Sequence, residues 1–212
     1  MRFILVWIVS TLFSAGTVAK NEPIMIGVSQ QYASLTRLLA CPFEKAALEY
    51  RVRYSPLIRV LYELKNGWLD AAFPFKQNKN RDQYAQLSIP MIKTQYFFVS
   101  RIGRTVDFED TEQVYLHLRG FAGAEILDGA AGARVSISSW EQGLKLINRD
   151  RADFVLMTEG VFRELGWDHR ENLVISTADT IDIGIYVSRR SPELLEKLNS
   201  GIEACPVVVY EG

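Results

Sequence analysis

The sequence predicts an α/β fold with largely parallel sheets. Two observations carry this. Apolar strand-like runs alternate with amphipathic helical runs along the chain. One strand–helix–strand unit also recurs after a shift of 83 residues. Arg51, Val52, Ser55, Leu61 and Asp70 then meet Arg134, Val135, Ser138, Leu144 and Asp153, five identities in twenty aligned positions. The echo has two readings: any two such units share a pattern, or the chain contains two similar lobes.

Taken in order, Ile24–Val28 is a short apolar strand. Tyr32 to Leu48 has helical composition, with a break expected at Cys41-Pro42. Glu49–Tyr54 alternates like a strand. Ser55-Pro56 then reads as an N-cap followed by proline at the first helical position. Leu57, Val60, Leu61 and Leu64 share one helical face, and Asn66-Gly67 stops the helix. Trp68–Phe73 is expected as a buried strand, Pro74–Asn80 as a polar loop and Gln95–Arg101 as a strand. Thr111–Leu118 reads as a helix and Phe121–Ile126 as a strand. Arg134–Ser138 is a strand. Ser139 and Gln142 have the spacing of a capping box, with Trp140, Leu144 and Ile147 on the buried face that follows. Asp153–Met157 is a buried strand leading to a helix that ends near Leu165. Leu173–Ser176 and Ile183–Ser188 read as two strands. Ser191-Pro192 opens a last helix with Leu194, Leu195, Leu198 and Ile202 inward.

Composition narrows the function. Of 212 residues, 48% are hydrophobic and 23% charged, which matches soluble globular proteins and opposes extensive disorder. Lys and Arg number 24 against 25 Asp and Glu, without the basic excess of a dedicated nucleic-acid binder. Met1-Arg2, the apolar run Phe3–Phe13 and the small residues up to Ala19 have the order of a secretory signal peptide cleaved near Ala19. The alternative is an uncleaved anchor, for which the apolar run is short. Export places Cys41 and Cys205 in an oxidising compartment. They either pair, closing a loop of about 165 residues, or stand as two separate buried thiols. His117 and His169, the only histidines, lack ligand-like spacing to a second His or Cys, so no metal or other cofactor is expected. There is no Gly-x-Ser-x-Gly elbow and no phosphate-binding glycine loop.

If two lobes are present, their strand-end loops define the binding site, because ligands of open α/β sheets sit beyond the carboxyl ends of the strands. Those loops carry Tyr32; Phe75 and Lys76; Ser138, Ser139 and Trp140; and Thr158 and Glu159. Aromatic faces beside hydrogen-bonding groups suit a small polar organic ligand.

Four groups of residues then carry a family resemblance by their order and spacing. They are Leu64-Lys65-Asn66-Gly67 with Leu69-Asp70-Ala71-Ala72; Asn80-Arg81 with Leu87-Ser88-Ile89-Pro90 and Tyr96-Phe97-Phe98-Val99; Leu118-Arg119-Gly120; and Asp150-Arg151-Ala152-Asp153. Over most of the mature chain the sequence resembles the family 3 solute-binding proteins, with the type II periplasmic binding-protein fold. The resemblance implies two lobes joined by two hinge crossings, near Phe97–Arg101 and Ile185–Ser188. Lobe 1 would comprise residues 20–98 and 188–212, and lobe 2 residues 99–187, after a signal peptide at 1–19. Cys41 and Cys205 would both fall in lobe 1, which favours their pairing. Arg81 stands at the position that grips a ligand carboxylate in amino-acid binders of the family. Thr158 stands where those proteins carry the aspartate that accepts the ligand's ammonium, and Glu159 is adjacent. The implied protein is periplasmic, monomeric and not an enzyme. It would capture a small, carboxylate-bearing, amino-acid-like molecule for ABC-type uptake or sensing, with a permease or a membrane sensor as partner. Two alternatives remain: a dehydratase-like enzyme acting on a cyclic carboxylic acid, with Glu159 as the acid, and a ligand-sensing interaction module without transport.

Overall fold

The computed structural model describes residues 22–209, so the signal peptide expected at 1–19 lies outside the described residues. Strand β1 (Ile24–Ser29) leads through a 3-10 segment (Gln30–Leu39) into helix α1 (Ala40–Lys45). Then come β2 (Tyr50–Ser55), α2 (Leu57–Lys65), β3 (Ala71–Phe75), β4 (Ala85–Leu87) and the long β5 (Ile92–Arg101). Next are β6 (Val114–Leu118), a 3-10 segment (Ala122–Gly129), β7 (Ala133–Ile137), α3 (Trp140–Asn148), β8 (Phe154–Thr158) and α4 (Glu159–Glu164). A short turn leads to the longest strand, β9 (Leu173–Ser188), then α5 (Pro192–Glu203) and β10 (Val208–Val209).

The strands run in the order β2-β1-β3-β9-β5-β8-β6-β7, with β4 on β9 and β10 on β5. The flanks are parallel: β1 lies between β2 and β3, and β6 between β7 and β8. The middle is antiparallel, because β5 and β9 pair along their length from Ile92↔Ile183 to Arg101↔Leu173. These two strands tie the flanks together. β9 pairs with β3 between Gly184 and Val187, while β5 pairs with β8 between Tyr96 and Val99. These pairings begin at Tyr96 of β5 and Gly184 of β9, one residue before the stretches Phe97–Arg101 and Ile185–Ser188.

The internal echo has a structural counterpart. β2–α2–β3 and β7–α3–β8 are equivalent units, each placing its helix across a parallel pair with the central strand, β1 or β6, between. The aligned aspartates do the same work. Asp70 accepts the Met25 backbone N–H at 2.8 Å, and Asp153 accepts that of Val114 at 2.8 Å. In return, the Asp70 and Asp153 N–H groups donate to the carbonyls of Met25 and Val114, both at 3.0 Å. Each carboxylate thus holds the entrance of its central strand with a charge-assisted bond.

Local sequence explains the helices that frame the site. α2 buries Leu57, Val60 and Leu64 on one face and ends at Gly67, whose positive φ of 72° suits glycine. The N-cap of α2 is Pro56 rather than Ser55. In α3 the Ser139 Oγ accepts the Gln142 N–H at 3.2 Å, while Gln142 Oε1 accepts the N–H of Ser138, one residue before the reciprocal position of a capping box. α5 begins at Pro192 and buries Leu194, Leu195, Leu198 and Ile202. It crosses α1 closely: a Cβ added at Gly201 would stand 2.2 Å from the Pro42 carbonyl oxygen. The Cys41–Cys205 disulfide joins these same two segments across a Cα–Cα distance of 6.2 Å, which settles pairing over separate thiols.

Several elements differ from the sequence expectation. Thr111–Leu118 does not form a helix; Val114–Leu118 is strand β6, paired on both edges, with Tyr115, Leu116 and Leu118 buried. Its β-branched and aromatic residues fit a pleated surface, and five residues are too few for periodicity to decide. Phe121–Ile126 is not a strand. Only Phe121 is extended, and buried Gly123 and Leu127 recur at helical spacing in the 3-10 segment. The two strands expected between Leu173 and Ser188 are one, because β5 supplies a continuous partner through the exposed, polar middle of β9. Pro74 and Phe75 belong to β3 rather than to a polar loop. No break falls at Cys41-Pro42: the 3-10 segment passes into α1 at Ala40 with helical backbone, its one non-helical residue being Tyr32, and Pro42 sits in the first turn of α1, where its missing N–H is not needed.

Candidate functional site

A cavity of about 30 Å3, room for one or two waters, lies where the strand ends of the two flanks meet. From the first flank it is lined by Tyr32, Leu35, Leu57 and the turn Pro74-Phe75-Lys76, together with Arg81. From the second it is lined by Gly120, Phe121, Ala122 and Thr158, with Tyr96 and Ile183 contributed by the tie strands β5 and β9. Thr158 reaches it because it ends β8 opposite Tyr96 of β5.

Arg81 is the centre of this arrangement. It is 5% exposed, and its guanidinium lies over the Phe75 ring with 4.6 Å from the carbon to the ring centroid. Nη2 donates to the Gly120 carbonyl at 2.9 Å, so the side chain reaches from one flank to the other. Nη1 is buried and has no hydrogen-bond partner, and no carboxylate forms an ion pair with Arg81 among the described residues. Burial lowers the Arg81 pKa, opposed by the neighbouring phenols of Tyr186, Tyr84, Tyr96 and Tyr32. Burial raises the Tyr32, Tyr96 and Tyr186 phenols far above their ordinary range; Arg81 pulls each back in part.

The turn that presents Arg81 is anchored from β9. The Tyr186 hydroxyl accepts the Asn78 N–H at 2.8 Å and donates to Asp82 at 2.7 Å. Arg189 donates twice to the Asp82 carbonyl, at 3.0 and 2.8 Å. Opposite, Gly120 turns its carbonyl toward Arg81 with a φ of 79°, a conformation glycine adopts freely. Further contacts cross between the flanks. Glu125 accepts from Asn78 and lies 3.6 Å from Lys76 Nζ, and Gln31 donates to the Ser138 carbonyl at 3.2 Å.

Of the residues singled out from the sequence, the cavity brings together Tyr32, Phe75, Arg81 and Thr158. It does not include Ser138, Ser139, Trp140 or Glu159. Ser138 bonds Gln142 through its N–H and hydroxyl, and Ser139 caps α3. Trp140 is core, packed edge-on behind Phe121 at 5.8 Å between centroids. Glu159 is fully buried at the start of α4, with Oε1 accepting from Arg163 Nε at 2.9 Å. Sequence reasoning missed Gly120, Phe121 and Tyr96 as lining residues. Gly120 and Tyr96 both stood in the resemblance motifs, but nothing in the sequence showed that their segments meet Arg81.

The topology decides the fold: two flanks of β2-β1-β3 type, joined by two antiparallel tie strands. The chain has the two-lobed type II fold of the periplasmic binding proteins. Solved structures agree. An arginine-bound ArgBP from T. maritima is 17% identical with a TM-score of 0.71, over 85% of this chain and 94% of that one. The arginine-, lysine-, histidine-binding protein ArtJ from Geobacillus stearothermophilus is 13% identical with a TM-score of 0.72, over 86% and 89% of the two chains. The GluR0 ligand-binding core from Nostoc punctiforme, solved with L-glutamate, is 15% identical with a TM-score of 0.73, over 86% and 92%. No protein-family model matches the sequence, and no curated protein does.

Proposed function

We propose that the protein is a periplasmic solute-binding protein that closes its two lobes on a small, carboxylate-bearing molecule of amino-acid size. The single observation that carries this is Arg81. A guanidinium keeps its charge at any ordinary pH, and a buried charge without a counter-ion is costly. Nη1 is buried and unpartnered, and Arg81 lines the cavity. A carboxylate there meets a charge-assisted bond from Nη1 and, from the N–H of Nη2 not given to Gly120, a second. The binding of arginine, lysine, histidine and glutamate by proteins of the same fold supports the same kind of occupant.

In this reading one lobe comprises β1 to β4 with α5, the other β6 to β8, and β5 and β9 form the hinge. The same reading assigns residues 20–98 with 188–212 to the first lobe and 99–187 to the second. The small cavity volume means that a ligand enters as the walls part and is then enclosed by hinge closure. Export by the N-terminal signal segment, a monomeric state and delivery to an ABC permease or a membrane sensor complete the proposal. Binding rather than catalysis is favoured because Glu159, the acid required by the dehydratase reading, is held by Arg163 away from the cavity.

The test is isothermal titration of carboxylates identified by a thermal-shift screen, since a ligand that binds only the native state raises its melting temperature. Arg81→Ala is expected to weaken binding more than tenfold. Unchanged affinity in a folded Arg81→Ala protein removes Arg81 from the site.

A further inference from the structure

The charges that face the cavity are all of one sign. Lys76 and Arg81 line it, and no carboxylate does so among the described residues. Glu159, Asp82, Glu125 and Asp179 stand outside its wall. Glu159 is bound by Arg163, and Asp82 accepts the Tyr186 hydroxyl at 2.7 Å. Glu125 stands with Lys76 and Asn78, half exposed, and the exposed Asp179 accepts the Thr180 N–H at 2.8 Å. Thr158, the polar wall opposite Arg81's flank, offers a neutral hydroxyl. Apart from Gly120, whose carbonyl accepts from Arg81 Nη2, the rest of the wall is apolar or aromatic, with Tyr32, Leu35, Leu57, Tyr96, Phe121 and Ile183 among it.

An α-amino acid carries its ammonium one carbon from its carboxylate. With the carboxylate on Arg81, that ammonium is enclosed by a wall that carries no carboxylate, since Glu125 is paired with Lys76 and does not line the cavity, and a buried charge without a partner is costly. A carboxylate lacking the amine leaves no such group unpaired. We infer that the cavity selects carboxylates with an aromatic or branched apolar body and no ammonium group, and discriminates against the corresponding α-amino acids. The inference rests on the reading of Arg81 as the anion site.

Matched pairs test it on the secreted protein by isothermal titration at neutral pH: 3-phenylpropionate against L-phenylalanine, and 4-methylpentanoate against L-leucine. The deaminated member of at least one pair is expected to bind tenfold or more tightly than its amino acid, and Arg81→Ala to abolish that binding. If in both pairs the amino acid binds as tightly or more so, and Arg81→Ala still abolishes it, the selectivity is overturned and the carboxylate reading stands. If no member of either pair binds at millimolar concentration, or binding survives Arg81→Ala, both are overturned.

Discussion

Removing the Cys41–Cys205 bridge is expected to lower stability by more than any single surface substitution. The bridged residues are 164 apart in sequence, so in the reduced unfolded chain nearly the whole length of the protein gains freedom. The chain-entropy relation gives about 5 kcal/mol for such a loop at 25 °C, as an upper bound. Residual structure in the unfolded chain reduces this, and the packing of α5 on α1 through Gly201 survives loss of the bridge. For a protein of this size, about 2–4 °C of melting temperature corresponds to each kcal/mol. The C41S/C205S double variant should therefore melt about 5–20 °C below the oxidised protein in scanning calorimetry, and wild type reduced with dithiothreitol should match it. Ligand affinity should be unchanged, because neither cysteine lines the Arg81 cavity. A double variant that melts within about 2 °C of wild type would refute the loop-entropy argument.

Three further outcomes follow from the geometry. Asp70→Ala and Asp153→Ala each remove a charged acceptor from a central-strand N–H, so each should cost about 1.5–3 kcal/mol in urea denaturation. Costs differing by more than about 2 kcal/mol would contradict the equivalence of the two units. Stability should fall steeply above about pH 10. Tyr32, Tyr96 and Tyr186 hold their protons in the folded state while the unfolded chain releases them, so the stabilisation present below the unfolded pKa is lost as pH rises. Three retained protons give a slope of up to about 4 kcal/mol per pH unit. Burial raises Tyr84 and Tyr115 as well, so spectrophotometric titration should show at least three of the nine tyrosines resisting ionisation until unfolding; all nine ionising together near pH 10 in the folded protein would exclude this.

Much of the fold was legible because long periodic segments state their own structure. The helices of α2 and α5 followed from apolar spacing and flanking Pro or Gly, and the 83-residue echo located the two aspartates that hold β1 and β6. What failed was short or context-dependent. β6 is a strand because β7 and β8 flank it, and β9 is continuous because β5 runs beside its polar stretch. Neither fact is local. Of the eight candidate ligand-binding residues, Tyr32, Phe75, Arg81 and Thr158 share one cavity, since each follows or ends a strand. Ser139 and Trp140 also sit at a strand end, but capping and core packing use them instead.

The most direct measurement is a crystal structure of the protein grown with whichever of the matched carboxylates binds most tightly. A carboxylate within about 3 Å of Arg81 Nη1, enclosed between Phe75 on one side and Thr158 on the other, is the result expected. Ligand density away from this cavity would contradict it.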